Sequence, residues 1–136
     1  MRFFILIVFF ANSILQISNA FAGVDDRIPV EIAQSGSDPL TLAFSKALES
    51  AFRESSRFNL SKGKRPGTLM VIIPGSVWHS NFGNEIEVKA FVNLTTVSSE
   101  PVGTVIPVCF EGRLSVCANR VVEYASSFGV GAIGAH

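Results

Sequence analysis

Few residues in this 136-residue chain could do chemistry, and they are thinly spread. His79 sits in Trp78-His79-Ser80-Asn81-Phe82, with Ser76 and Ser80 as the nearest serines. A Ser/His/carboxylate set would need one of those hydroxyls against the imidazole and an acid behind it. No G-x-S-x-G elbow is present to present a nucleophile. Glu85 and Glu87 are two apart, as a pair of acid–base carboxylates could be, but Lys89 continues the same spacing. A charge-balanced, solvated strand face explains the three better. The only other histidine is His136, at the end of the chain, and His79 has no second metal ligand at helix or hairpin spacing. The residues imply no metal and no cofactor.

Two features remain. Cys109 and Cys117 are the only cysteines, and their spacing is not C-x-x-C. They are read as one structural disulfide, with two buried thiols as the alternative. Trp78, Phe82 and Phe91 are large aromatics at positions where a core does not require them: the first two flank a turn, and Phe91 falls on an otherwise polar strand face. With Glu85 and Glu87 beside them they form a candidate binding patch, since aromatics are enriched at interfaces. The alternative is that a loop or the tail covers them.

The N-terminal residues indicate a compartment outside the cytosol. Arg2, the apolar run Phe3 to Ile17 and the small-x-small triplet Ala20-Phe21-Ala22 have the form of a secretory signal peptide over residues 1–22. The run is interrupted by Asn12, Ser13 and Gln16 and is short for a membrane span. No cysteine stands at the cleavage site, so a lipid anchor of the bacterial type is not indicated. An oxidising compartment, periplasmic or extracellular, suits a disulfide. Without Arg2 the chain has ten basic and eleven acidic residues, a balance that excludes general nucleic-acid binding. No second hydrophobic span follows, so no stable membrane span is expected after cleavage.

From residue 23 onward the chain reads as one α+β domain with a flexible tail from about 129. Asp38-Pro39 starts a helix whose apolar stripe is Leu40, Ala43, Phe44, Ala47, Leu48, Ala51 and Phe52. Ile28 to Ala33 alternates as a strand before it, with Pro29 suggesting an edge. Phe58 and Leu60 suggest a short strand after it. The loop Ser61 to Gly67 holds Lys62, Lys64 and Arg65, a basic cluster without the phosphate-loop signature. Thr68 to Pro74 is a buried strand, and Glu85 to Leu94 is the clearest alternating one, the two forming a hairpin. Thr104 to Phe110 follows, with Pro107 marking an edge or bulge. Leu114, Cys117, Ala118, Val121, Ala125 and Phe128 repeat at helical spacing, with Ser115 as a cap; the alternative is a hairpin centred near Arg113. The predicted architecture is a two-layer sandwich: an antiparallel sheet of about four strands with two helices on one face, in the order β-α-β-β-β-α. Asn59-Leu60-Ser61 and Asn93-Leu94-Thr95 match the N-glycosylation pattern, which matters only in a eukaryotic host.

The helix ending Ser55-Ser56-Arg57-Phe58, followed by the strand Met70-Val71-Ile72-Ile73 and then Gly75, resembles a group of bacterial envelope domains. The group includes the N-terminal domain of the Tol system's periplasmic protein, the curli-export lipoprotein and the lipopolysaccharide-assembly lipoprotein. The likeness spans roughly Ile28 to Val97 and brings no catalytic residues. It implies a non-enzymatic module that contacts an envelope protein or component. Two other functions are open on the residues: an inhibitor or immunity protein for an envelope enzyme, and a small hydrolase using His79. Oligomeric state is not readable.

Overall fold

The computed structural model describes residues 26–63 and 65–128. The signal segment and the tail expected from about 129 lie outside them. Eight strands, two helices and a short 3-10 turn follow in order: β1 Ile28–Gln34, α1 Pro39–Glu54, β2 Phe58–Leu60, β3 Leu69–Ile73, β4 Trp78–Phe82, β5 Glu85–Lys89, β6 Val92–Thr95, β7 Pro101–Val105, β8 Val108–Phe110, the 3-10 turn Glu111–Arg113, and α2 Leu114–Ser127. The α+β class holds, and both helices pack against the sheet and each other.

The sheet differs from the expected four antiparallel strands. It has five strands in the order β2-β1-β3-β6-β7, and β1 runs parallel to both β2 and β3. A parallel pair needs a crossover, and α1 supplies it. Pro29 is therefore not on an edge. Ile28 and Val30 direct their backbone groups to β2, through Ile28 N–H to Arg57 O and Ser61 N–H to Val30 O. The amide that Pro29 lacks would point toward β3, where pairing begins only at Val30/Leu69.

The long strand expected from Glu85 to Leu94 is two strands in two sheets. β5 belongs to a second sheet, β4-β5-β8, and β6 to the first. Yet one antiparallel register runs through both: Glu87 faces Phe110, Lys89 faces Val108, Val92 faces Val105 and Leu94 faces Gly103. Ala90 N–H donates to Pro107 O at 3.2 Å and carries the ladder across the gap. The two sheets are thus one long hairpin, bent at Ala90-Phe91 and at Ile106-Pro107. The third strand of this meander, β3 into β4, breaks at the same level, over Pro74 to Val77. Pro107 marks the bend, which is why a proline can sit mid-hairpin.

Side-chain alternation survives the bend. Val88, Ala90, Val92 and Leu94 are fully buried on the helix side with Val30, Val71 and Ile73. Against them α1 packs Phe44, Leu48, Ala51 and Phe52, and α2 packs Cys117, Ala118, Val121 and Ala125. Thr41 and Ser45 are buried where the apolar stripe had placed Ala43, which is exposed. The second helix, not the alternative hairpin, follows the 3-10 turn. Ser115 lies inside it, and the N-cap position is Arg113, which makes no side-chain capping bond. Cys109 and Cys117 are bonded, tying β8 to the first turn of α2 with a Cα–Cα distance of 5.6 Å. At the other end of α2, Arg57 Nη1 donates to Ser126 O at 2.6 Å, a cation on the open carbonyls of a helix C-terminus.

Gly103 shows how close α2 lies to β7. A Cβ there would stand 2.6 Å from Tyr124 Oη and 2.9 Å from Phe128 Cζ, the two rings of an edge-to-face pair 5.0 Å apart. Gly103→Val should therefore cost about 1–3 kcal/mol of overpacking in chemical denaturation. Gly75→Ala, into open space, is the neutral control.

Candidate functional site

The bend produces the site. A strand shows alternate side chains to opposite faces, so the residues opposite the helices share one outer face. On that face Trp78 pairs with Lys89, Ser80 with Glu87, and Phe82 with Glu85. Glu87 in turn faces Phe110, and Lys89 faces Val108. Phe91 and Ile106 continue the face at the bend itself. All five residues proposed from the sequence, Trp78, Phe82, Glu85, Glu87 and Phe91, are thus brought to one surface.

Their exposure decides between core and surface. Trp78 is 71% exposed, Phe82 68% and Phe91 47%, so none belongs to the core. Ile106 is 47% exposed and Val108 37%, which extends the apolar patch onto the last strand of the meander. Where the three strands turn, the face folds into a hollow of about 500 Å³. Pro74, Gly75 and Ser76 line it from the break between β3 and β4, and Trp78, Lys89, Phe91 and Ile106 from the neighbouring strands. Lys89 Nζ stands 6.0 Å from the Trp78 ring centre, at the limit of a cation–π contact. The hollow therefore offers a mainly apolar lining, an exposed indole and one cation. Glu85 and Glu87 lie further along the face, toward the β4–β5 turn. That turn is Gly83-Asn84, with Gly83 at φ +65° and Asn84 at negative φ, the signature of a type II′ turn.

The wall at Ser76 is anchored to the first helix. Thr41 N–H donates to Asp38 Oδ2 at 3.1 Å and Thr41 Oγ1 donates to Oδ1 at 2.7 Å, capping α1. The same Thr41 Oγ1 accepts from Val77 N–H at 2.9 Å, and Ser76 also bonds to Asp38. One cap thus fixes both the start of α1 and the bend of β3 into β4. These hydrogen bonds, first from Thr41 and then from Ser76, hold the Asp38 carboxyl below the usual carboxylate value. A lowered carboxyl stabilises the fold above the unfolded-state value near pH 4, and that contribution is lost as pH falls through the folded value. The apparent Tm should drop as pH falls below about 4, and Asp38→Ala should flatten that part of the acid limb. Thr41→Val, which strands the buried Val77 amide, should cost about 1–3 kcal/mol at neutral pH.

The catalytic candidates are only partly gathered. His79 and Ser80 are neighbours on one strand and point to opposite faces. His79 lines a shallow hollow on the helix side with Asp38, Leu40 and Glu111, while Ser76 is engaged by Asp38. Of the two sequons, Asn93 lies in β6, where its Oδ1 accepts from Thr104 Oγ1 at 3.0 Å. Asn59 lies in β2 with its Oδ1 buried. Ile106, Pro74 and Lys89 were not proposed from the sequence as site residues. Ile106 carried no signal of its own, because its place opposite Phe91 follows only from the register that joins β5–β8 to β6–β7.

No family model matches this chain, and no curated protein matches it. Solved structures do. The PelC dodecamer from Paraburkholderia phytofirmans is 9% identical with a TM-score of 0.54, over 78% of this chain and 92% of that one. A variant of the same protein is 12% identical with a TM-score of 0.50, over 71% and 83%. TolB from Acinetobacter baumannii is 14% identical with a TM-score of 0.49, over 76% of this chain and 29% of TolB. These neighbours are bacterial envelope proteins. At such identities the PelC likeness concerns the fold alone.

Proposed function

We propose that this protein is a secreted or periplasmic module without a catalytic centre, and that it binds an envelope protein or component through the aromatic crease. One observation carries the reading. Trp78, Phe91 and Ile106 are exposed together around a concave bend, on a face whose opposite side is fully packed. Scattered exposed apolar residues are ordinary, but a concave cluster of them is what a binding pocket requires. The disulfide and the envelope-protein neighbours support an extracytoplasmic site of action. Among the described residues no helix is long and apolar enough to cross a membrane.

The crease suits an apolar side chain as anchor, with an acidic or carbonyl group beside it for Lys89. An inhibitor of an envelope enzyme would use the same face. The test is affinity capture of the tagged chain from its host's envelope fraction after mild cross-linking. One dominant partner that is lost with Phe91→Ala and with Ile106→Ala is the expected result. Capture that both variants leave unchanged would remove the crease from the account.

A further inference from the structure

We infer that the chain forms a two-fold dimer by pairing β4 with β4 of a second copy, edge to edge. Among the described residues β4 ends the order β4-β5-β8, and all five of its residues are exposed. Trp78-His79-Ser80-Asn81-Phe82 contains no proline and no lysine, arginine or carboxylate, the usual guards of a free edge.

Its hydrogen-bonding groups face outward in a definite pattern. The two-residue turn makes Phe82/Glu85 a hydrogen-bonded pair, and alternation extends that class to Ser80/Glu87 and Trp78/Lys89. The Ala90 N–H to Pro107 O bond on the other side of the same hairpin has the parity this requires. His79 and Asn81 therefore point their N–H and C=O groups at the open edge. An antiparallel copy centred on Ser80 sets His79 opposite the second copy's Asn81, and the reverse, so those groups bond in reciprocal pairs.

The side chains agree with that centre. On the outer face Trp78 then stands opposite the second Phe82, and Phe82 opposite the second Trp78. No other centre within the strand sets both aromatics opposite aromatics. Charge selects the same direction. Each row across the joint sheet runs Lys89, Trp78, Phe82, Glu85, so a basic end meets an acidic end. A parallel copy on the same edge would turn its outer face to the opposite side of the joint sheet, so these aromatic and charged groups would not meet. The product is a continuous six-stranded sheet, β8-β5-β4 and its mate, that carries two creases on one face.

The centre predicts a cross-link. Directly opposed residues of a non-hydrogen-bonded antiparallel pair have Cα atoms about 4.5 Å apart, within the range a disulfide spans. The native cysteines are bonded to each other, so Ser80→Cys adds the single free thiol. Under mild oxidation at low protein concentration it should give a disulfide-linked dimer on a non-reducing gel. Glu87→Cys, on the same face but one strand inward, should stay monomeric on that gel. In sedimentation the wild type should be a dimer and Asn81→Pro a monomer. Residue 81 spends no amide on β5, so its hairpin ladder is kept. A monomeric wild type, a dimer that survives Asn81→Pro in a folded chain, or Ser80→Cys linking no faster than Glu87→Cys would each overturn the proposal. Should Asn81→Pro fail to fold, the two cysteine variants decide alone. Asn81→Pro leaves the crease intact, so loss of the dimer and loss of the envelope partner are separable.

Discussion

Phe52→Ala should lower the unfolding free energy by about 3–5 kcal/mol. Phe52 is fully buried on the core stripe of α1. Its ring meets Phe58 edge-to-face at 5.2 Å, and Phe58 opens β2. The side chain thus joins the end of the helix to the short strand that flanks β1. Truncation removes the transfer energy of the ring and leaves a cavity that the surrounding core fills only in part. A domain of this size has about 5–15 kcal/mol in all, so the variant should populate unfolded chain measurably at 37 °C. Chemical denaturation followed by far-ultraviolet circular dichroism is the measurement. Leu42→Ala, on an exposed position of the same helix, should change stability by less than about 0.5 kcal/mol.

Replacing Cys109 and Cys117 together by serine should cost about 2–5 kcal/mol. The bond closes a short loop, so in the chain-entropy view its direct contribution is about 2–3 kcal/mol. The serines add to this, because Cys117 is fully buried between α2 and the sheet and a hydroxyl there has no assigned partner. The bond also fixes α2 at its start, where the helix lacks a side-chain cap. Reduction of the native chain should therefore loosen α2 before the main sheet. Hydrogen exchange with and without reductant would show faster exchange in Leu114–Ser127 than in Leu69–Ile73. Equal acceleration in both would mean that the bond acts only on the unfolded chain.

Much of this architecture was legible because its signals are local. Asp38-Pro39 announces α1, and the cap it forms is the one that the structure shows. The apolar spacing of Cys117, Ala118, Val121 and Ala125 announces α2, and these are its buried residues. Strand direction was not legible. Whether β3 runs with or against β1 is decided by the crossover path, which leaves no mark in the alternation of Ile28 to Gln34. The bend was hidden for a related reason. From Val88 to Leu94 the period-two pattern continues without a fault, since turning a sheet at Ala90-Phe91 does not exchange its faces.

The same parity explains what could be read of the site. Glu85, Glu87 and Phe91 share odd positions on one strand, so a common face followed from counting. Trp78 and Phe82 join them through the two-residue turn at Gly83-Asn84. Ile106 did not emerge, because its place opposite Phe91 depends on a register that passes through Pro107, which alone suggests only an edge. The concavity depends on three strands bending at one level, and no single stretch of sequence contains that fact.

Photo-cross-linking in living cells would show whether the crease is a binding face. A photoreactive amino acid would be placed at Phe91, in the crease, or at Glu123, on the exposed face of α2 away from it. Both chains would be expressed in the native host and irradiated in intact cells. A binding crease predicts one discrete adduct from position 91 and none of that mass from position 123. Equal adducts from both positions, or an adduct from position 123 alone, would contradict it.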